Sequence, residues 1–272
     1  MKRVDVLSLG AGTQSSAMAL MAANGDLPKP DYVIFSDTGW EPEHVYEWLE
    51  KLKKEIAKSG MEVITVSNGN IYDDTLKSLE DGGHTPSLPY YTKDPDTGKV
   101  GITMRQCTQD YKIVPINNKV RELLGYKKGQ RVKEEVHMWK GITTDEIARI
   151  KSSDKKWITF DYPLFDRGMN RLDAINYVRD HMGAIPPKSS CVGCPFHNND
   201  MWLDIKRNYP KEWEKAVYFD EKIRNHPKFD SQLFLHKSCK PLSEVDFNED
   251  QFSLTDILGD DFDNECHGMC GI

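Results

Sequence analysis

The rhythm of apolar and polar positions changes several times along the chain, and each change marks an element. Residues 4–9 alternate and run into Gly10, Ala11 and Gly12, which predicts a strand ending at a glycine turn. Residues 14–23 are rich in Ala, Met and Leu and predict a helix, and the short apolar run at 31–35 predicts a second strand. After Pro42, the residues Val45, Trp48, Leu49, Leu52 and Ile56 recur at helical spacing. Pro42 lies near the first turn, where its missing N–H costs little. Residues 61–66 predict a third strand. Strand, helix, strand, helix, strand implies an open, Rossmann-like parallel α/β sheet with helices on both faces.

The pattern breaks at residues 81–101, where Gly, Pro, Thr, Asp and Tyr dominate; this predicts a surface loop of the kind that closes over a substrate. Regularity returns as a helix at 114–124, a strand at 135–142 and a helix at 173–181. From about residue 185 the sheet rhythm is lost, and cysteines, tryptophans and prolines increase. A boundary there divides the chain into a nucleotide-binding α/β domain at 1–185 and a cysteine-rich, irregular C-terminal region at 186–272. Trp202 and Trp213 fall on a helix expected from Asp200 and read as packing residues. No internal repeat is present.

Composition narrows the picture. The chain has 272 residues, 38% of them hydrophobic, enough for a substantial core. Its formal net charge of -7 gives no support for a nucleic-acid substrate or an anionic membrane. The basic residues Lys127, Lys128, Arg131 and Lys133 read as a solvated turn. The N-terminal residues show no secretory signal, and no stretch reaches the roughly 20 apolar residues of a membrane span. A cytoplasmic, reducing location is therefore expected. There the six cysteines are better explained by metal or redox chemistry than by disulfides. A homodimer stays open.

The segment Ser8-Leu9-Gly10-Ala11-Gly12-Thr13-Gln14-Ser15-Ser16 joins the first strand to the first helix. Glycines let backbone approach an anion, a helix N-terminus offers N–H groups and a positive dipole end, and the hydroxyls add donors. The segment suits a phosphate or pyrophosphate. It is not a Walker A loop, since no Gly-Lys-Ser/Thr follows, and Ser15 stands where a dinucleotide fold has its third glycine. A plain tight turn is the competing reading.

This segment resembles the PP-loop of the adenine nucleotide α-hydrolase-like superfamily, and further motifs follow in the order of its phosphoadenylyl-sulfate reductase branch. Residues 35–41, with Asp37, Thr38 and Gly39, resemble the second-strand D-T-G motif. Arg105-Gln106-Cys107-Thr108, with Tyr111, Lys112 and Pro115, resembles the cysteine-containing segment before a helix. Gly141-Ile142-Thr143-Thr144-Asp145-Glu146 with Arg149 resembles the G-x-R-x-x-E-x-x-R segment. The chain departs from the pattern at Gln14, where the loop often carries an acid, and at Thr143, where the family has Arg. The resemblance implies ATP or a related adenine nucleotide. Its phosphates would lie on Ser8, Gly10, Gly12, Thr13, Gln14, Ser15 and Ser16, and its base and ribose near Asp37 and Thr38. Arg105 and Gly141 would complete the nucleotide site, and Lys112 and Arg149 would neutralise charge during the reaction. Asp37 as a helix cap, and the basic residues as surface ion-pair partners, are the alternatives.

Cys191-Val192-Gly193-Cys194-Pro195 turns two thiols toward one metal or one redox partner. The resemblance implies a [4Fe–4S] cluster held by a cysteine at the place of Cys107 and by a later C-x-x-C. The family has adjacent cysteines where this chain has one. Cys239 is the expected fourth ligand beside Cys107, Cys191 and Cys194, with a tail cysteine or an open iron as alternatives and structural zinc as the competing metal. Cys266 and Cys270 lie in a tail that faintly resembles the segment carrying the reductase nucleophile, and they are the expected catalytic thiols. His197, His236 and His267 read as ordinary polar contacts.

The expected function is ATP-dependent sulfur transfer with an iron–sulfur cluster, helped by a thiol or sulfur-donor protein. The alternatives are an adenylyl-sulfate or phosphoadenylyl-sulfate reductase and a non-catalytic nucleotide-binding accessory protein.

Overall fold

The computed structural model describes residues 2–81 and 88–247. Its centre is a five-stranded, fully parallel sheet built from β1 (Arg3–Leu9), β2 (Tyr32–Asp37), β3 (Val63–Ser67), β6 (Glu135–Trp139) and β7 (Ile158–Asp161), in the order β3-β2-β1-β6-β7. Alternation along these strands sends side chains to two different cores. Leu7, Leu9, Val33 and Phe35 pack on α1 (Thr13–Asn24), α2 (Glu43–Ala57) and α6 (Arg171–Met182). Val4, Val6, Ile34, Val136 and Met138 pack on the opposite side against Ile116 and Val120 of α4 (Val114–Leu123). Both faces of the sheet are thus covered, as a parallel sheet requires. Helix α1 is buried along its length from Thr13 to Ala22, which accounts for the run of Ala, Met and Leu after its polar first turn. Helix α6 starts on a capping box formed by Asn170 and Asp173.

A third core joins distant parts of the chain. Trp40, Ile71, Leu88, Tyr90 and Tyr111 pack with Val192, Trp202, Phe219, Leu235 and Phe247. The elements around it are α3 (Ile71–Asp81), α7 (Asn199–Asn208) and α8 (Pro210–Ile223), with a small antiparallel sheet. That sheet has β4 (Tyr91–Lys93) between β5 (Val100–Ile102) and β8 (Gln232–Phe234). The segment expected as a loop at 81–101 therefore holds one complete strand and the start of another. The boundary expected near residue 185 falls just after α6, and the residues beyond it share this core with residues 40–111. Helix α5 (Pro163–Asp166) is a single turn. Among the described residues, no helix is long and apolar enough to cross a membrane.

Candidate nucleotide and thiol site

Strand order reverses between β1 and β6: the chain first builds toward β3, then returns to the other side of β1. Ligands of open α/β sheets collect in the crevice outside the strand C-termini at such a switch point. The glycine segment stands there. Ala11 has a positive φ of 57°, uncommon for a residue with a Cβ and often a mark of a functional loop. Helix α1 begins after Gly12 with neither a side-chain cap nor an acid in its first turn. The loop is braced from within, since Gly10 N donates to Ser15 Oγ at 3.1 Å and Ser15 Oγ donates to the Gly12 carbonyl at 3.3 Å. Ser16 Oγ accepts from Trp48 Nε1 at 2.9 Å. Ser15 and Ser16 thus shape the loop, while the buried hydroxyl of Ser8 has no partner among the described residues. A second such hydroxyl, Ser189 Oγ, belongs to a residue whose Cβ lies 3.5 Å from where a Cβ on Gly12 would be. A helix N-terminus with two unsatisfied hydroxyls beside it suits an anion.

On the β2 side, Asp37 Oδ1 accepts from Gly39 N at 2.8 Å and from Tyr46 Oη at 2.7 Å. One carboxylate oxygen of Asp37 therefore holds the turn into α2. Thr38 Oγ1 lies 3.2 Å from Cys191 Sγ and 3.4 Å from Glu41 Oε1. Lys112 Nζ meets the same Glu41 oxygen at 3.1 Å, with side chains 4% and 0% exposed. Glu41 Oε2 has no partner among the described residues. Lys112 sits in a π-helical turn, Gln109–Ile113, leading into α4. Pro115 cannot donate to a carbonyl one turn back, and Ser36 Oγ instead donates to the Tyr111 carbonyl at 2.6 Å.

The cysteine-bearing loop crosses over this side. Val192 N donates to the Trp40 carbonyl at 2.8 Å, and Cys194 N closes the turn on the Cys191 carbonyl at 3.0 Å. Gly193 fits flat against Trp40, whose ring would lie only 2.0 Å from a Cβ there. Cys107, Cys191 and Cys194 line one small cavity together with Thr38, Arg105 and Lys112. Arg105 also stands over the Phe196 ring at 5.3 Å. Behind the loop, His197 Nε2 and Ser190 Oγ are 2.9 Å apart, and burial pushes the His197 pKa down to about 3, so the ring is neutral.

Cys239 is not brought to this cavity. It follows β8, has a positive φ of 51°, and its Sγ faces the carbonyls of Thr92 and Lys237 at 3.6 and 3.8 Å. Burial pushes its thiol pKa up. It lies against β4 in the turn after β8 and is not among the residues lining the thiol cavity. Among the described residues, no three His, Cys, Asp or Glu side chains form a ready metal-holding group. The three cavity thiols have soft-donor chemistry suited to iron–sulfur or zinc. Cys266 and Cys270 lie outside the described residues.

On the β6 side, Gly141 abuts the glycine segment: a Cβ there would be 2.9 Å from Gln14 Cβ and 3.2 Å from Ser15 N. Gln14 Nε2 donates to Glu146 Oε2 at 3.2 Å, Thr143 Oγ1 faces the same oxygen at 3.4 Å, and Arg149 pairs with Glu146 Oε1. Glu146 thus sets a carboxylate directly beside the Gln14 side chain. Glu41, Glu146 and Ser189 were not identified as site residues from sequence. Glu41 and Glu146 lie within the quoted motifs, and a carboxylate fixed inside such a motif was the available signal.

These features define an open parallel α/β protein with an anion-suited loop at its switch point and three thiols beside it. No protein-family model matches the chain, and no curated protein does. In structure it is similar to the phosphoadenylyl-sulfate (PAPS) reductase of Candida auris, solved as a phosphate complex. That likeness has 13% identity and a TM-score of 0.41, over 68% of this chain and 74% of the other. It is also similar to the U34-tRNA thiolase NcsA of Methanococcus maripaludis, solved with its [4Fe–4S] cluster. Here the identity is 14% and the TM-score 0.41, over 81% of this chain and 72% of the other.

Proposed function

We propose that the protein is an adenine-nucleotide-binding enzyme of the PP-loop type that performs ATP-dependent sulfur transfer. One observation carries this reading: Cys107, Cys191 and Cys194 share a cavity with Thr38 and Lys112 at the ligand-binding edge of the sheet. The same cysteine loop brings Ser189 over Gly12. Phosphates would lie on the N-terminus of α1, within reach of the Ser8 and Ser189 hydroxyls. Arg105, Lys112 and Arg149 would offset negative charge on the nucleotide. The three thiolates would hold a [4Fe–4S] cluster and leave one iron without a protein ligand. Such a cluster supplies a place to bind and deliver sulfur. Cys266 and Cys270 are further thiols for sulfur or electron delivery.

Two measurements test the reading. Calorimetry should detect ATP, and Gly12→Val should abolish that heat by filling the space the anion needs. Protein purified without oxygen should contain iron and acid-labile sulfide, both lost in Cys191→Ser. Zinc without iron would make the thiols a structural metal site. Folded protein that binds no adenine nucleotide would remove the reading altogether.

A further inference from the structure

A second cavity, of about 380 Å3, opens between α4 and the edge formed by β6 and β7. Its volume falls within the range of small-molecule sites. Gly141 lines it and also touches the glycine segment, so the cavity begins where the phosphate seat ends. Its floor is apolar, made by Ile113, Ile142 and Ile158. Two carboxamides, Gln109 and Asn117, face the same space. Asn117 is 6% exposed, and its Oδ1 has no partner among the described residues.

The charge is opposite to that of the chain. Lys140, Arg149, Lys151 and Lys155 line the cavity, against Asp154 alone. Counting Glu146, which pairs with Arg149 from behind, still leaves two more cations than carboxylates. Lys140 is 9% exposed, with its Nζ 4.2 Å from the centre of the Phe160 ring, so its charge is fixed at the wall. In a protein of net charge -7, such a local field attracts and orients an anion.

We propose that this cavity seats a nucleobase: its flat faces on the isoleucine floor and its polar edge on the Asn117 and Gln109 carboxamides, with the lysine rim beside the sugar-phosphate attached to it. Carboxamides are suited to the donor–acceptor edges of bases. The base comes either from the nucleotide whose phosphates occupy the glycine segment or from a second nucleotide substrate. The inference deepens the nucleotide reading above and rests on it for the choice of ligand.

Calorimetry on the full chain tests it with inorganic pyrophosphate, a non-hydrolysable ATP analogue, and the four ribonucleoside 5′-monophosphates added with and without that analogue. The variants are Asn117→Leu and Lys151→Glu. Asn117→Leu replaces an unpartnered polar group with an apolar one of similar size, so folding stability should hold or rise. Nucleotide affinity should nevertheless fall by about tenfold in each variant, while pyrophosphate affinity in Asn117→Leu stays at the wild-type value. If the analogue loses affinity and no monophosphate binds beside it, the base is that of the phosphate-bound nucleotide. If a monophosphate binds to analogue-loaded protein and is the species weakened, the base is that of a second substrate. Pyrophosphate binding with no nucleotide sensitive to either variant overturns the cavity assignment and leaves the glycine-segment reading standing. Variant-sensitive monophosphate binding without pyrophosphate binding does the reverse.

Discussion

The two flanks of the glycine segment are built alike and used differently. Each holds a glutamate with a fully buried side chain paired with a cation: Glu41 with Lys112 of the next sequence motif on the β2 flank, Glu146 with Arg149 of its own motif on the β6 flank. Each also holds a glycine that admits no side chain, Gly193 against Trp40 and Gly141 against Gln14. The surroundings diverge. Glu146 is met on its second oxygen by Gln14 and Thr143, and Arg149 is 16% exposed, whereas the Thr38 and Cys191 side chains crowd the same Glu41 oxygen that Lys112 holds. Glu41 has one oxygen without a partner among the described residues, and Lys112 is 4% exposed beside three thiols. The β6 flank therefore ties its carboxylate to the anion-binding loop, whereas the β2 flank keeps a charge pair under a thiol cavity.

The largest test of that contrast removes the cations. Lys112→Ala strands a buried carboxylate and should cost about 3–5 kcal/mol, the usual penalty for breaking a buried pair. Arg149→Ala should cost less, about 1–3 kcal/mol, because Gln14 and Thr143 still donate to Glu146. Urea unfolding of both variants measures the difference. Equal losses would mean that the flanks are electrostatically equivalent.

The glycines come next. Gly193→Ala places a Cβ inside the Trp40 ring, and overpacking of this kind costs about 1–3 kcal/mol. The cysteine turn must lift, so alkylation of Cys191 and Cys194 should quicken while pyrophosphate binding changes little. Gly141→Ala presses on Gln14 and the Ser15 amide and should act the other way, weakening pyrophosphate binding while thiol reactivity stays at the wild-type rate. A swap of the two phenotypes would show that the flanks are mechanically coupled.

How far this arrangement could be read from sequence depends on what kind of signal carried it. Strands β1 to β3 with α1 and α2 were legible, because alternation in residues 4–9 and the spacing of Val45, Trp48, Leu49, Leu52 and Ile56 are local periodicities. The three-residue strands β4, β5 and β8 are too short to show a period, and β4 pairs with β8 across a long stretch of chain. That pairing places Cys239 away from the other thiols, and nothing local to Cys239 announces it. Motif order groups Cys107, Cys191 and Cys194, and these three line one cavity. The buried glutamates were not legible, since a carboxylate near a loop reads as solvated until its partner is placed. Thr38 and Gln14 stand in motifs readable from sequence, but their contacts with Cys191 and Glu146 are not.

The smallest expected effect concerns the support of the β2 flank. The core behind the thiol cavity is closed by α8 and the segment after it, where His226 is 1% exposed and burial lowers its pKa. Above the ordinary histidine pKa of about 6.5 the ring is neutral in both folded and unfolded chains, and pH has no leverage through it. As pH falls below that value, the unfolded chain takes up a proton that the folded chain refuses. Stability is therefore lost progressively toward the lowered folded-state pKa. The urea midpoint should drop between pH 7 and pH 5, with His197 contributing alongside His226, and His226→Gln should lessen that drop while keeping an acceptor for the Lys228 amide, now 3.2 Å from Nδ1. Hydrogen exchange would locate the effect. Protection should fall at acid pH in α8 and the residues after it before it falls in α1, because His226 lies directly after α8. Acid-induced exchange that began in α1 instead would break the division of the molecule into a pH-sensitive thiol flank and an insensitive anion-binding centre.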